Sequence, residues 1–351
     1  MEVTNTLEPR IAPTRRFGVE HELFLRLREG GLPTLENRNE LFRCLANRLN
    51  GRILRESVAI PFHTGVCIVK NDFCTHILEI EFPPCQDLLL FHQLFQELCT
   101  KIFEVATSCG FQRMPGAYLA SLPGEIHYAP PSNPSAEQRM RRLIHKPLYG
   151  GPFAVDRFNA RMASTQIHVE LDCMLTYSSL RRLYSYEYFV PLFFSNSTTN
   201  IPHPARCVRP LLWRDAFSAE TACVGFPNEI PQEYDSYCRL LARNSDYRDY
   251  SLICPRTYGT FEFRTGCSQP DYQSVTDLIL FRLIQCALPT KEDRAWELER
   301  AYFYALCQVG EIDKPLLFSD LDQISCRMST LPKGLQALSN GLLTRLHRKP
   351  F

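Results

Sequence analysis

Four short segments of this chain put acidic side chains on one face of a strand and apolar side chains on the other. Residues i and i+2 of a strand share a face. In residues 17–26 (FGVEHELFLR), Val19, Leu23 and Leu25 oppose Glu20, Glu22, Phe24 and Arg26. In 77–82 (ILEIEF), Leu78, Ile80 and Phe82 oppose Glu79 and Glu81. In 164–172 (STQIHVELD), Thr165, Ile167, Val169 and Leu171 oppose Ser164, Gln166, His168, Glu170 and Asp172. In 260–264 (TFEFR), Phe261 and Phe263 oppose Thr260, Glu262 and Arg264.

An ordinary half-solvated sheet mixes its charges. Here the polar faces carry seven carboxylates, and within these segments only Arg26, Arg264 and His168 oppose them. Carboxylates two residues apart sit about 6–7 Å from one another. At an effective dielectric near 20 each such pair repels by on the order of 2–3 kcal/mol. A cation among them removes that cost, and Mg²⁺ or Mn²⁺ suits clustered carboxylate oxygens. Read on residues alone, this metal site and a solvated acidic sheet are equal alternatives.

Other chemistries lack an anchor. No H-E-x-x-H is present and the histidines do not cluster with cysteines, which disfavours zinc. No P-loop, dinucleotide fingerprint or G-x-S-x-G elbow occurs. With 39 Lys+Arg against 38 Asp+Glu, the chain carries no bulk charge that would favour nucleic acid or an anionic membrane. No apolar run approaches the ~18 residues of a membrane span. The residues after Met1 do not read as a secretory signal. The 15 cysteines are odd in number and irregularly spaced, which fits reduced thiols serving as small buried hydrophobes in the cytoplasm.

The 351 residues read as a loose leader over 1–15 and a single catalytic domain over 16–351. Helices are expected over 37–49, 87–108, 271–288 and 291–309, with a helical C-terminal cover over about 271–351. A proline-rich loop or lid over about 111–156 contains a short basic helix, 136–144, and the cations Arg139, Arg141, Arg142 and Lys146. The basic stretch reads as a solvated face or as a dock for an acidic partner. Strands and helices interleave without a βαβ period. The expected fold is therefore α+β: a curved, largely antiparallel sheet with one acidic concave face and helices on the other.

The four segments, in this order, resemble the glutamate–cysteine ligase family and the wider carboxylate–amine ligases that have a glutamine-synthetase-like active site. Gly18-Val19-Glu20-His21-Glu22-Leu23 is similar to the family's opening strand. Asn71-Asp72-Phe73, followed by Leu78-Glu79-Ile80 and Pro83-Pro84, is similar to its second motif. Met162 through Val169 resembles a third, with a central histidine, and Tyr258 through Arg264 a fourth that closes on E-x-R. Two positions depart: Thr75 stands where relatives often have glutamate, and Glu170 where they often have a small polar residue.

The resemblance implies an ATP-dependent ligase that forms an amide, of gamma-glutamyl type, through an acyl phosphate and releases ADP. It implies Glu20, Glu22, Glu79 and Glu262 as metal ligands for Mg²⁺ or Mn²⁺. His168 and Arg264 would meet the nucleotide phosphates, with Thr165 and Arg161 beside them and Arg214 as a further helper. Glu81 or Glu170 would accept the amine's proton. The partners implied are a small carboxylate such as glutamate and an amine acceptor, free or on an acidic carrier protein, with no nucleic acid and no membrane; the chain could also oligomerise. The competing readings are a metal-dependent amide or phosphate hydrolase on a similar sheet and a non-catalytic relative serving as an interaction module.

Overall fold

The computed structural model describes residues 15–130, 160–170, 177–196, 206–216, 225–227, 251–256, 259–291, 294–308, 312–331 and 333–348. All four acid-faced segments are strands: β1 (Phe17–Leu27), β5 (Ile77–Cys85), β7 (Thr165–Glu170) and β9 (Thr260–Phe263). They join β2 (Arg52–Ile53), β3 (Ser57–Phe62), β4 (Gly65–Asn71) and β8 (Ile253–Arg256) in one sheet of order β2-β3-β4-β5-β1-β7-β9-β8. Every pairing is antiparallel. The long central strand β1 has β5 on one edge; the other edge is shared by β7 and by β6 (Phe111–Met114).

The alternation decides which face is dry. Phe17, Val19, Leu23, Leu25, Leu78, Ile80, Phe82, Ile167, Val169, Phe261 and Phe263 are all buried in one cluster. Helix α2 (Leu88–Ser108) lies on them, capped by Asp87, whose carboxylate accepts from the Leu90 amide at 3.0 Å. Its Phe91 packs edge-on against Phe17 at 5.2 Å, and Phe95 meets Phe82 at 4.8 Å. Each such ring contributes about 1.5–3 kcal/mol by leaving water. Helix α1 (Leu35–Arg48) begins with a capping box between Thr34 and Asn37 and packs beside α2. Cysteines join this interior: Cys67, Cys85, Cys99 and Cys207 are buried as free thiols.

The later helices are α3 (Tyr177–Ser185), α4 (Phe189–Phe193), α5 (Val208–Ala216), α6 (Tyr272–Gln285), α7 (Trp296–Cys307), α8 (Lys314–Ser329) and α9 (Lys333–Arg348). Of these, α6 packs against α2 and β7, and a buried ion pair ties it to the sheet. Arg282 of α6 donates to Glu187 at 2.5 and 2.9 Å and stacks over Phe263 of β9 at 4.5 Å. Glu187 also accepts from the Thr265 hydroxyl, just past β9. At Gly266 a Cβ would lie 2.6 Å from the Thr165 carbonyl, so only glycine lets this stretch press against β7.

Two expectations change. Residues 111–114 are strand β6, not loop, because the start of that stretch hydrogen-bonds along the free half of β1. The hairpin β3–β4 extends the sheet beyond the four segments and brings a cation the segments lack. The basic residues Arg139, Arg141, Arg142 and Lys146, and Asp172, lie outside the described residues. Among the described residues no helix is long and apolar enough to cross a membrane.

Candidate active site

The register stacks the acids across strands. Glu20 stands opposite Glu81 of β5 and Gln166 of β7, and Glu22 stands opposite Glu79. His168 is opposite Glu262 of β9. Like charges directly opposite are destabilising, so the face must be neutralised from within or by a ligand. Gly18 stands opposite His168. His168 Nε2 lies 3.0 Å from Glu20 Oε1.

Two triads result, and Glu20 belongs to both. Ligand atoms of Glu20, His168 and Glu262 lie within 4.8 Å of one another, as do those of Glu20, Glu79 and Glu81. Converged carboxylate oxygens with one imidazole form a donor set that fits a hard divalent ion such as Mg²⁺ or Mn²⁺. Glu22 takes no part in either group. Its oxygens accept from the Ser164 amide at 2.7 Å and from Gln166 Nε2 at 2.8 Å.

Protein cations neutralise much of this charge, and most of them lie outside the four acid-faced segments. Lys70 of β4 sits 2.5 Å from Glu81 and 3.3 Å from Glu79. Glu262 is paired with Arg256 of β8 and, at 3.0 Å, with Arg264. Arg209 of α5 reaches to 3.9 Å from Glu22 and stacks over Trp213 at 4.6 Å. Arg26, counted against the acids, instead donates to Gln112 at the exposed end of β1. Alternation in VCIVKN, with Cys67 and Val69 inward and Lys70 outward, was the available signal for Lys70.

Burial opposes ionisation of Glu20, but the hydrogen bond from His168 and the charges of His168, Lys70 and Arg264 prevail and bring it down to about 2. Burial and the neighbouring Asp72 push Glu22 up to about 7. Burial likewise raises Glu79, against the pull of Lys70. Burial works against the Lys70 charge, and Glu79 and Glu81 outweigh it, so the ammonium stays protonated.

Other expected positions fall elsewhere. Thr165 faces the core, because odd positions of β7 share its dry side: its hydroxyl meets His21 Nδ1 at 3.0 Å and accepts from the Gln269 amide at 3.1 Å. Burial holds His21 itself down to about 3, a neutral core histidine. Arg161 donates to the Ala120 carbonyl at 3.1 Å. Arg214 stacks over Tyr304 at 5.2 Å. Glu170 lies at the end of β7, outside both triads, in a fork with Arg16 that lowers its pKa. Thr75 is buried, with its hydroxyl directed at the carbonyls of Pro33 and His127, so it adds no oxygen to the face.

No protein-family model matches the sequence, and no curated protein matches it by sequence. Solved structures do match. A bifunctional glutathione synthetase from Pasteurella multocida superposes with a TM-score of 0.61 at 15% identity, over 96% of this chain. This chain spans about half, 48%, of that protein's length. Glutamate–cysteine ligase from Francisella tularensis, solved with AMP, gives 0.63 at 12% identity over 95% of this chain and 82% of its own. The ligase PafA, solved with the prokaryotic ubiquitin-like protein Pup, gives 0.53 at 10% identity over 96% and 63%. The chain shares the fold of these solved structures, an open antiparallel sheet with helices packed against it.

Proposed function

We propose that this chain is an ATP-dependent carboxylate–amine ligase working as one catalytic unit over residues 16–351. The observation that carries the reading is the convergence of two ligand triads on Glu20, on the acidic face of a ligase-like sheet. Glu20, His168 and Glu262 are the residues that would hold a divalent ion, while Lys70 bridges Glu79 and Glu81 of the other triad. Such an ion, when bound, neutralises charge on the phosphates and orients them.

The chain's own residues supply the rest. A carboxylate oxygen of the substrate attacks the γ-phosphorus, the bond to the β–γ bridging oxygen breaks, and ADP leaves. Arg264, fixed by Glu262 at 3.0 Å and Gln166 at 3.3 Å, stabilises charge on the transferring phosphoryl. The amine nitrogen then attacks the acyl carbon, the carbon–oxygen bond to phosphate breaks, and phosphate leaves. Glu81, a third exposed, is placed to take the amine's proton. Glu22, bonded to Ser164 and Gln166, positions β7 rather than touching substrate. The donor is a small amino-acid carboxylate, with glutamate favoured by the resemblance. The acceptor is an amine, either free or on an acidic carrier, and the reaction is cytoplasmic.

The test is nucleotide release with Mg²⁺ across a panel of amino acids and amines. Amine-dependent ADP with an amide product is expected. AMP in place of ADP would contradict the reading, and amide cleavage without ATP turnover would establish the hydrolase instead.

A further inference from the structure

The two triads differ in how the protein's own cations approach them. Arg256 and Arg264 come from the β8–β9 side, and both pair with Glu262. A carboxylate has lone pairs enough to accept a guanidinium and still ligate an ion, a common arrangement around metal sites. Lys70 approaches the other triad differently. Register sets it opposite Glu79, and its Nζ bridges two of the three members, Glu81 at 2.5 Å and Glu79 at 3.3 Å. It is half-buried, and all three members bear on its charge. An ammonium is a compact point charge with three donors, the side chain that most closely imitates a small ion among carboxylates.

We propose that Lys70 is a tethered cation standing in for a divalent ion in the Glu20–Glu79–Glu81 triad, so that the chain binds a single divalent ion, at Glu20, His168 and Glu262. The second half of this proposal rests on the ligase reading; the first half does not. A tethered charge cannot be lost to chelation, so this end of the sheet holds its form without metal. It also bars the second ion that a full set of carboxylates would take.

The experiment counts Mn²⁺ bound per chain by electron paramagnetic resonance, on the full chain with and without a non-hydrolysable ATP analogue. It compares wild type, Lys70→Met and His168→Gln, with thermal melts in chelator run alongside. One Mn²⁺ is expected on wild type, two on Lys70→Met, and none or far weaker binding on His168→Gln. Lys70→Met should melt lower in chelator and recover with Mn²⁺, while wild type is indifferent at this triad. Two ions on wild type would overturn the proposal without any variant. One ion on both wild type and Lys70→Met would overturn it too. No ion on wild type but one on Lys70→Met would sustain the tethered cation and remove the Glu20–His168–Glu262 site, and with it the metal-dependent ligase reading. If Lys70→Met fails to fold even with Mn²⁺ present, Lys70→Gln is measured in its place, and a count unchanged from wild type there overturns the proposal.

Discussion

Glu20 and Glu22 are two residues apart on one strand, yet their neighbours drive them in opposite directions, to about 2 and about 7. Glu20 has His168 and nearby cations; Glu22 has burial and Asp72. The sign of the pH dependence follows. Between the ordinary 4.5 and about 7 the folded chain keeps the Glu22 proton that the unfolded chain has lost. Stability therefore falls as pH rises through that window, and Glu79, also raised, adds to the fall. His21, held down to about 3, works in the opposite sense below its ordinary 6.5, so the effect is read as a difference: in metal-free buffer wild type should lose several degrees of melting temperature relative to Glu22→Gln from pH 5 to pH 8, and an unchanged gap would remove Glu22 from this account. Glu79→Gln should keep its melting temperature or raise it, because Lys70 retains Glu81, and a thermal melt reads this directly. Glu262→Gln should behave differently. It takes from Arg256 and Arg264 the buried carboxylate they share, at a cost of about 3–5 kcal/mol, readable by urea denaturation.

At the scale of elements, the four acid-faced strands were legible because i, i+2 alternation is a local property. The hairpin β3–β4 carries a weaker local signal: Pro61 interrupts the first strand and the second has a single charged residue, Lys70. The weight of Lys70 comes from lying opposite Glu79, and register between strands is a tertiary fact. Arg256 and Arg209 escaped for the same reason: they reach the acids from β8 and α5, outside the motifs that flagged them. Helix limits were close, since the caps Asp87 and Asp271 could be seen in sequence. The Arg282–Glu187 pair belongs to this scale as well. Both side chains are fully buried, so Arg282→Met strands a carboxylate and should cost about 3–5 kcal/mol. The double change with Glu187→Gln should recover part of that loss in the same denaturation experiment.

For the whole molecule, one sheet separates two environments. Its dry face holds α1, α2, α6 and the aromatic cluster of Phe17, Phe82, Phe91 and Phe95; its acidic face is balanced by four basic side chains that the fold brings from separate elements, one of them from α5. The Arg264 fork, held by Glu262 and Gln166, is what the account asks to meet the phosphoryl group. Arg264→Lys should lower kcat by about 10²-fold, since a point charge does not replace a bidentate donor; near-normal kcat would place Arg264 outside the reaction. The most direct measurement of all follows an oxygen atom. With ¹⁸O in the carboxylate of whichever donor supports ADP release, attack on the γ-phosphorus carries one label into inorganic phosphate as the amide forms. Label in phosphate is the predicted result; label in AMP, or none transferred from a donor that is nonetheless converted to amide, would contradict the account.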